Sequence, residues 1–80
     1  MKLEIILRAE GYCLRLDNII NDKEIANRLN ISIDNFKEIL ERHHAYNTHN
    51  LCYFFKNKED AEKAIEELEA HLVMGKLMGD

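Results

Sequence analysis

The fold is decided by residues 20–44, whose sequence reads INDKEIANRLNISIDNFKEILERHH. Asn21 is a good helix N-cap, and Glu24 stands three positions later, where a capping box needs an acid or an amide. Ser32 gives a second start signal soon after the first, and apolar residues recur at helical spacing behind both. The stretch therefore predicts two short helices joined at residues 30–32 rather than one long helix.

Hydrophobic staples support both helix starts. Ile20 pairs with Ile25 across the first cap, and Ile31 pairs with Phe36 across the second. Asn35 occupies the position where the second capping box would need Glu or Gln, so that box is incomplete. The predicted buried faces of the two helices consist of Ile25, Ala26 and Leu29 in the first, and Phe36, Ile39, Leu40 and His43 in the second.

Strand-like runs flank the helical stretch on both sides. Residues 3–7 and 12–16 alternate between apolar and polar side chains, and Glu10-Gly11 between them is a turn signal, which predicts an N-terminal hairpin. The aromatic run at residues 51–55 predicts a third strand. The polar residues 45–50 predict a loop or a turn before it.

A last helix is predicted to begin at Asn57, with Asp60 as its third residue. Its apolar stripe is Ala61, Ala64, Ile65, Leu68 and Leu72. Residues 72–78 fit two alternatives, since the helix either continues past Gly75 or ends there and returns as an edge strand. The order β-β-α-α-β-α predicts an α+β fold, in which a small antiparallel sheet, formed by the hairpin and strand 51–55, packs against about three helices on one face.

The composition is that of a folded globular domain. Charged residues make up 32% and hydrophobic residues 46% of the chain, which excludes the disordered class. No apolar run approaches the ~20 residues of a membrane span, and the start, residues 1–4, is unlike a signal peptide. Cys13 and Cys52 are too few and too far apart for a disulfide framework. We therefore expect one cytoplasmic domain over residues 1–80, with reduced cysteines and no membrane contact.

Part of the central stretch resembles the helix-turn-helix family of DNA-binding proteins. Ala26, Leu29 and Ser32 match that family's small residue, helix-end leucine and recognition-helix start, and the resemblance extends over residues 23–44. It implies a DNA-binding transcriptional regulator. The side chains that would contact DNA are Ser32, Asn35, Lys37 and Arg42. Charge opposes this hypothesis, because the net charge is −4 and acidic residues outnumber basic ones in residues 20–44.

Three histidines and a cysteine raise the question of a metal site or a catalytic site. His43, His44, His49 and Cys52 fall within ten residues, but their spacing matches no zinc pattern. A polar helix end accounts for the histidines as well. Cys52 or Cys13 has the chemistry of a nucleophile, yet nothing in the sequence predicts an oxyanion hole, a phosphate loop or a pocket for a small-molecule substrate. We expect no metal, no cofactor and no enzymatic activity.

The segment FFKNKEDAEKA, residues 54–64, predicts a strand that runs into a capped helix rich in acids. Together with the abundance of Ile, Asn, Lys and Glu along the chain, it resembles small accessory proteins of Firmicute phages and prophages. That resemblance implies a non-catalytic protein that binds another macromolecule, for example an inhibitor of a host enzyme or of a defence system, as anti-CRISPR proteins are. The acidic side chains Glu59, Glu62, Glu66 and Glu69 would suit a basic groove on such a partner, or form a solvated face.

Residues 72–78 contain more large apolar side chains than a small core can bury. These side chains are Leu72, Val73, Met74, Leu77 and Met78. Both as a helix and as a strand, they would leave an apolar strip outside the monomer's core. We therefore expect a homodimer contact, or a contact with a protein partner, through this segment.

Overall fold

The computed structural model describes residues 3–47 and 52–79, and of residues 72–79 it describes the backbone only. The described elements, in chain order, are β1 (Leu3–Arg8), β2 (Gly11–Leu16), α1 (Asp22–Arg28), α2 (Ile33–Arg42), β3 (Tyr46–Asn47), β4 (Tyr53–Phe54) and α3 (Lys58–Gly79). Within these residues the chain forms three helices and two antiparallel pairs, β1–β2 and β3–β4. The predicted α+β class is confirmed, with one strand more than the sequence indicated.

The hairpin turns at Ala9–Glu10, and its register pairs Arg8 with Gly11. Gly11 has a φ of +142°, a backbone conformation that residues other than glycine rarely adopt. A Cβ at this position would lie 2.8 Å from the carbonyl oxygen of Phe55 and 2.9 Å from the hydroxyl of Tyr46. Glycine is therefore required where the hairpin meets the third strand.

The predicted third strand is attached to the hairpin by a single bridge. The Tyr12 N–H donates to the Phe55 carbonyl at 2.9 Å, and the Phe55 N–H donates back to Tyr12 at 2.7 Å. Residues 53–55 of the predicted strand 51–55 are extended, and Leu51 lies outside the described residues.

The prediction of a loop at residues 45–50 is wrong at Tyr46–Asn47, which form β3 and pair with β4. The Tyr46 and Phe54 rings lie 6.3 Å apart between centroids, tilted by 37°. The Tyr46 hydroxyl also donates to the carbonyl of Glu10. These contacts come from distant parts of the chain, so the local sequence around residue 46 carries no strand signal.

Both predicted helix starts in the central stretch are confirmed. The Glu24 N–H donates to Asn21 Oδ1, and the Asn35 N–H donates to Ser32 Oγ, each at 3.2 Å. Each of these caps contributes about 1 kcal/mol.

The ends of the two helices are equally regular. Asn30 follows α1 with a φ of +60°, and the Ile31 N–H donates to Ala26 O at 2.9 Å. His44 follows α2 with a φ of +69°, and the Ala45 N–H donates to Leu40 O at 3.0 Å. Both are Schellman motifs, which end α1 and α2 sharply, and the first of them also fixes the turn between the two helices.

The main core lies between the hairpin and the helices. Its fully buried members include Leu16, Ile25, Phe36, Phe55 and Leu68. A smaller second cluster joins Cys13, Cys52 and Phe54, with Ile6 and Tyr46 packed against it.

The last helix, α3, begins at Lys58, directly after the predicted cap residue Asn57. Its predicted stripe is confirmed as far as residue 68, with Ala61, Ala64 and Leu68 buried and Ile65 half-buried, and the Leu72 side chain lies outside the described residues. The backbone remains helical through Gly75, so the helical alternative for residues 72–78 is correct and the edge strand is wrong.

Candidate functional site

The exposed side of α2 contains the residues expected to touch DNA. Ser32, Asn35, Lys37 and Arg42 are all exposed. The Ser32 hydroxyl oxygen already accepts the capping hydrogen bond, so it holds the helix start. Lys37 forms no ion pair with any described residue. Asn35 and Lys37 are therefore the members of this set with side chains most available to a ligand.

Arg42 is held by two carboxylates. Its guanidinium bonds to Glu67 of α3, and its Nη2 lies 3.5 Å from Glu38 Oε1. His43 Nε2 lies 2.9 Å from the other oxygen of Glu67. The His43 hydrogen bond and the Arg42 charge lower the pKa of Glu67. The contacts of Arg42 and His43 with Glu67 hold α2 against α3. To reach a phosphate, Arg42 would have to release Glu38 and Glu67.

A cleft of about 510 Å³ opens beside the N-terminus of α1. Asp22, which is only 5% exposed, lines it, and its Oδ2 accepts a hydrogen bond from the Tyr53 N–H at 2.9 Å. Burial raises the pKa of Asp22 to about 7, although the Tyr53 N–H and the charge of Lys37 lower it. A carboxyl that titrates near neutral pH inside a cleft is a candidate acid or base.

The surroundings of Asp22 favour a structural role for this carboxyl. Lys23 and Lys37 line the same cleft, and none of its described lining residues is a Ser, Cys or His that would act as a nucleophile. The bond to Tyr53 joins the start of α1 to β4 across the molecule. This hydrogen bond is therefore a tertiary contact whose acceptor is a titratable carboxyl group.

The exposed surface of α3 carries four glutamates together with Lys58 and Lys63. Glu59, Glu62, Glu66 and Glu69 are exposed, and none of them forms an ion pair with a described residue. At 100° per residue they fall within about 80° of one another, on the side of the helix away from Leu68 and the core. They extend for about 15 Å along the axis, with roughly 5 Å between successive charges. We call these four glutamates the acidic stripe.

The histidines and cysteines are distributed over separate contacts. His43 bonds to Glu67, His44 is exposed at the end of α2, and His49 lies outside the described residues. Cys52 is a buried free thiol that contacts Cys13. In the described part of the chain, no group of three His, Cys, Asp or Glu residues could hold a metal ion.

For the expected apolar interface, residues 72–78, the structure describes the backbone, which is part of α3. Leu72, Val73, Met74, Leu77 and Met78 all lie in the helix. Their side chains are outside the described set, so the interface stays a prediction. Among the described residues, no helix is both long enough and apolar enough to cross a membrane.

Comparison with protein-family models, with curated proteins and with solved structures found no match to this chain.

Two features of the molecule were missed from sequence. Asp22 directly follows the N-cap, where acids are common and solvated, so nothing marked it as buried. Cys13 alternates with Leu14 in β2, on the side predicted to be polar, yet it is fully buried. In both cases the covering group is the segment around Tyr53, which is distant in sequence. The aromatic character of residues 53–55 was the one sequence signal that this segment packs over other residues and buries them.

Proposed function

We propose that this chain is a small non-catalytic accessory protein of a phage or another mobile element, and that it acts by binding a protein. The acidic stripe is the proposed contact surface. Its partner would be a basic nucleic-acid-binding groove on a host enzyme or a defence nuclease, which the bound protein would block. The observation that carries the proposal is the row of exposed carboxylates on α3 without ion-pair partners among the described residues.

The spacing of these charges supports a partner that normally binds nucleic acid. One strand of duplex DNA presents a charge about every 3.4 Å along the axis, and the acidic stripe presents one about every 5 Å. A row of Lys and Arg side chains that binds phosphates would meet the carboxylates of the acidic stripe at comparable intervals, because carboxylates carry the same negative sign as phosphates. Complementary charge of this kind raises the association rate and selects the partner.

A second candidate function is DNA binding by the helix-turn-helix resemblance. The confirmed caps and the Schellman turn between α1 and α2 favour it. The charges favour the first function, since Arg42 is bound to Glu38 and Glu67, and the net charge is −4. Phosphate contacts by Lys and Arg supply most of the affinity of DNA-binding proteins.

A pull-down from a host lysate tests the proposal, with nuclease treatment as one arm. A triple variant, Glu62→Gln, Glu66→Gln and Glu69→Gln, removes most of the acidic stripe. The matched control removes the same charge from exposed sites elsewhere, by Asp17→Asn, Glu24→Gln and Asp34→Asn. We expect recovery of a specific protein that survives nuclease, falls at least tenfold in the stripe variant and persists in the control. Recovery that vanishes with nuclease, or that falls equally in both variants, contradicts the proposal.

The proposed role of residues 72–78 is a homodimer or a partner contact. Light scattering at ~100 µM is expected to give a dimer mass for the parent and a monomer mass for Val73→Glu with Leu77→Glu. A monomeric parent whose double variant keeps its stability and its partner removes this segment from the interface.

A further inference from the structure

We propose that Cys13 and Cys52 form a thiol–disulfide switch, which closes by exchange with a low-molecular-weight disulfide and fastens β2 to the segment that enters β4. The proposal stands apart from the acidic stripe and does not depend on it. It begins from the placement of two thiols that are far apart in sequence and adjacent in the fold.

Strand pairing brings the two cysteines to one face. The Tyr12–Phe55 bridge is antiparallel, so continuing its register sets Cys13 opposite Phe54. Cys52 directly precedes β4, two positions before Phe54. Cys13, Cys52 and Phe54 accordingly form one buried cluster.

Both thiols lie inside this cluster and are shielded from solvent. Cys13 is 0% exposed and Cys52 is 6% exposed. The contact with Cys52 lowers the pKa of Cys13 against the effect of burial, and the same contact together with burial raises the pKa of Cys52. Two free thiols in one cluster supply both the thiol that attacks and the second thiol that completes an exchange.

The chemistry balances with oxidised glutathione as the oxidant. Because both thiols are buried, the exchange proceeds when the segment that carries Cys52 opens locally. The thiolate of one cysteine then attacks a glutathione sulfur, which forms a mixed disulfide and releases one glutathione thiolate. The second cysteine, as thiolate, then attacks the first cysteine's sulfur and releases the other glutathione. Two protein thiols lose two protons and two electrons, and one glutathione disulfide becomes two glutathione thiols. In the last step the two protein sulfurs come together within the buried cluster to the ~2.05 Å of a disulfide bond.

Closure would affect the whole fold because of what the loop encloses. Residues between Cys13 and Cys52 include all of α1 and α2. A crosslink around a long loop reduces the freedom of the unfolded chain, and the melting temperature is expected to rise by on the order of 10 °C. Cys52 also adjoins Tyr53, whose N–H bonds to Asp22. The closed form would therefore hold the segment that ties β4 to α1.

The test is an equilibrium in glutathione redox buffer. The fraction of intramolecular disulfide, identified by a mass loss of about 2 Da after quenching with acid, is measured for the full chain in buffer and in concentrated urea. The disulfide stabilises the fold by the same factor by which the native state favours disulfide formation over the unfolded state. We therefore expect the equilibrium constant for disulfide formation to be about 100-fold higher in buffer than in urea. Cys13→Ala and Cys52→Ala are expected to abolish the 2 Da loss.

The opposite results are equally clear. A constant in buffer no more than about tenfold above that in urea overturns the proposal, since the native fold would then not favour the crosslink. A product dominated by crosslinked dimers or by single glutathione adducts on the native protein also overturns it. Comparing native with urea-unfolded wild-type chain keeps the test decisive even where an alanine variant fails to fold.

Discussion

The central helix pair, residues 21–44, and the described part of the following segment, residues 45–47 and 52–55, are held in place in different ways. In the helix pair, each cap and each Schellman hydrogen bond joins residues no more than five positions apart. In the segment, Tyr46 bonds to Glu10, and Tyr53 bonds to Asp22 and Glu41. The helix pair is thus specified by its own sequence, whereas the segment is specified by the rest of the molecule.

This difference has a consequence for stability. A substitution in the helix pair removes one local bond, for which the rest of the helix compensates in part. A substitution where the segment meets the hairpin or α1 disturbs contacts between distant parts of the chain, with no local substitute. Gly11→Ala should therefore have a larger effect than a change at a cap, whereas Asp22→Asn keeps the long-range bond to Tyr53 and changes its titration.

The largest effect is expected at Asp22, whose replacement by Asn keeps an oxygen acceptor for Tyr53 N–H and removes the titration. The folded pKa, about 7, lies above the ordinary value of 3.8, so the folded state holds the proton longer. Stability from this group is therefore full below pH 3.8 and is lost as pH rises towards 7. At pH 8 the variant should be more stable than the wild type by up to about 3–4 kcal/mol, and at pH 4 by little.

Urea unfolding at both pH values measures this difference between variant and wild type, which cancels the titration of the other carboxylates. Asp34→Asn, at an exposed site in the first turn of α2, serves as the matched control. A wild-type advantage at pH 8 would show that the Asp22 carboxylate is stabilising as an anion, and would contradict this reading of the tie.

Gly11→Ala should give the next largest change, in the opposite direction. The added methyl would meet the Phe55 carbonyl at 2.8 Å, and the backbone has a φ of +142°. Strain and the disturbed bridge to Tyr12 should cost about 2–3 kcal/mol. Thermal unfolding is the measurement, with Ala9→Gly in the adjacent turn as a control for backbone flexibility. A loss below about 0.5 kcal/mol would mean that the hairpin is not packed closely against residues 53–55.

Ser32→Ala removes a single local bond and should cost about 1 kcal/mol, because the Asn35 N–H loses its side-chain acceptor. Ser32→Asp is the matched rescue, since Asp caps as well as Ser does. Denaturant midpoints of the three proteins give the values. A cap loss as large as the Gly11→Ala loss would remove the distinction between local and long-range control.

Prediction from sequence succeeded where the determining contacts were local. Both caps, the hairpin turn, the buried stripe of α3 and the α+β class followed from spacing and residue type. It failed at β3, because Tyr46 finds its partners in Phe54 and Glu10. For the same reason it missed the burial of Asp22 and the contact between Cys13 and Cys52. Of the expected DNA contacts, the exposure of α2 was foreseen, but the binding of Arg42 by Glu67 was not, since that carboxylate belongs to another helix.

Titration of labelled duplex DNA fragments in ~0.15 M salt tests most directly whether the protein binds DNA through α2, the function that competes with the proposed protein binding through α3. A random library and DNA from the host are both used, with fluorescence anisotropy as the measurement. The expected result is a Kd weaker than ~10 µM for every fragment, because the net charge is −4 and the Arg42 guanidinium is bound to carboxylates. A fragment bound at nanomolar strength, with binding lost on Asn35→Ala and Lys37→Ala, would contradict the proposal and establish the helix-turn-helix function.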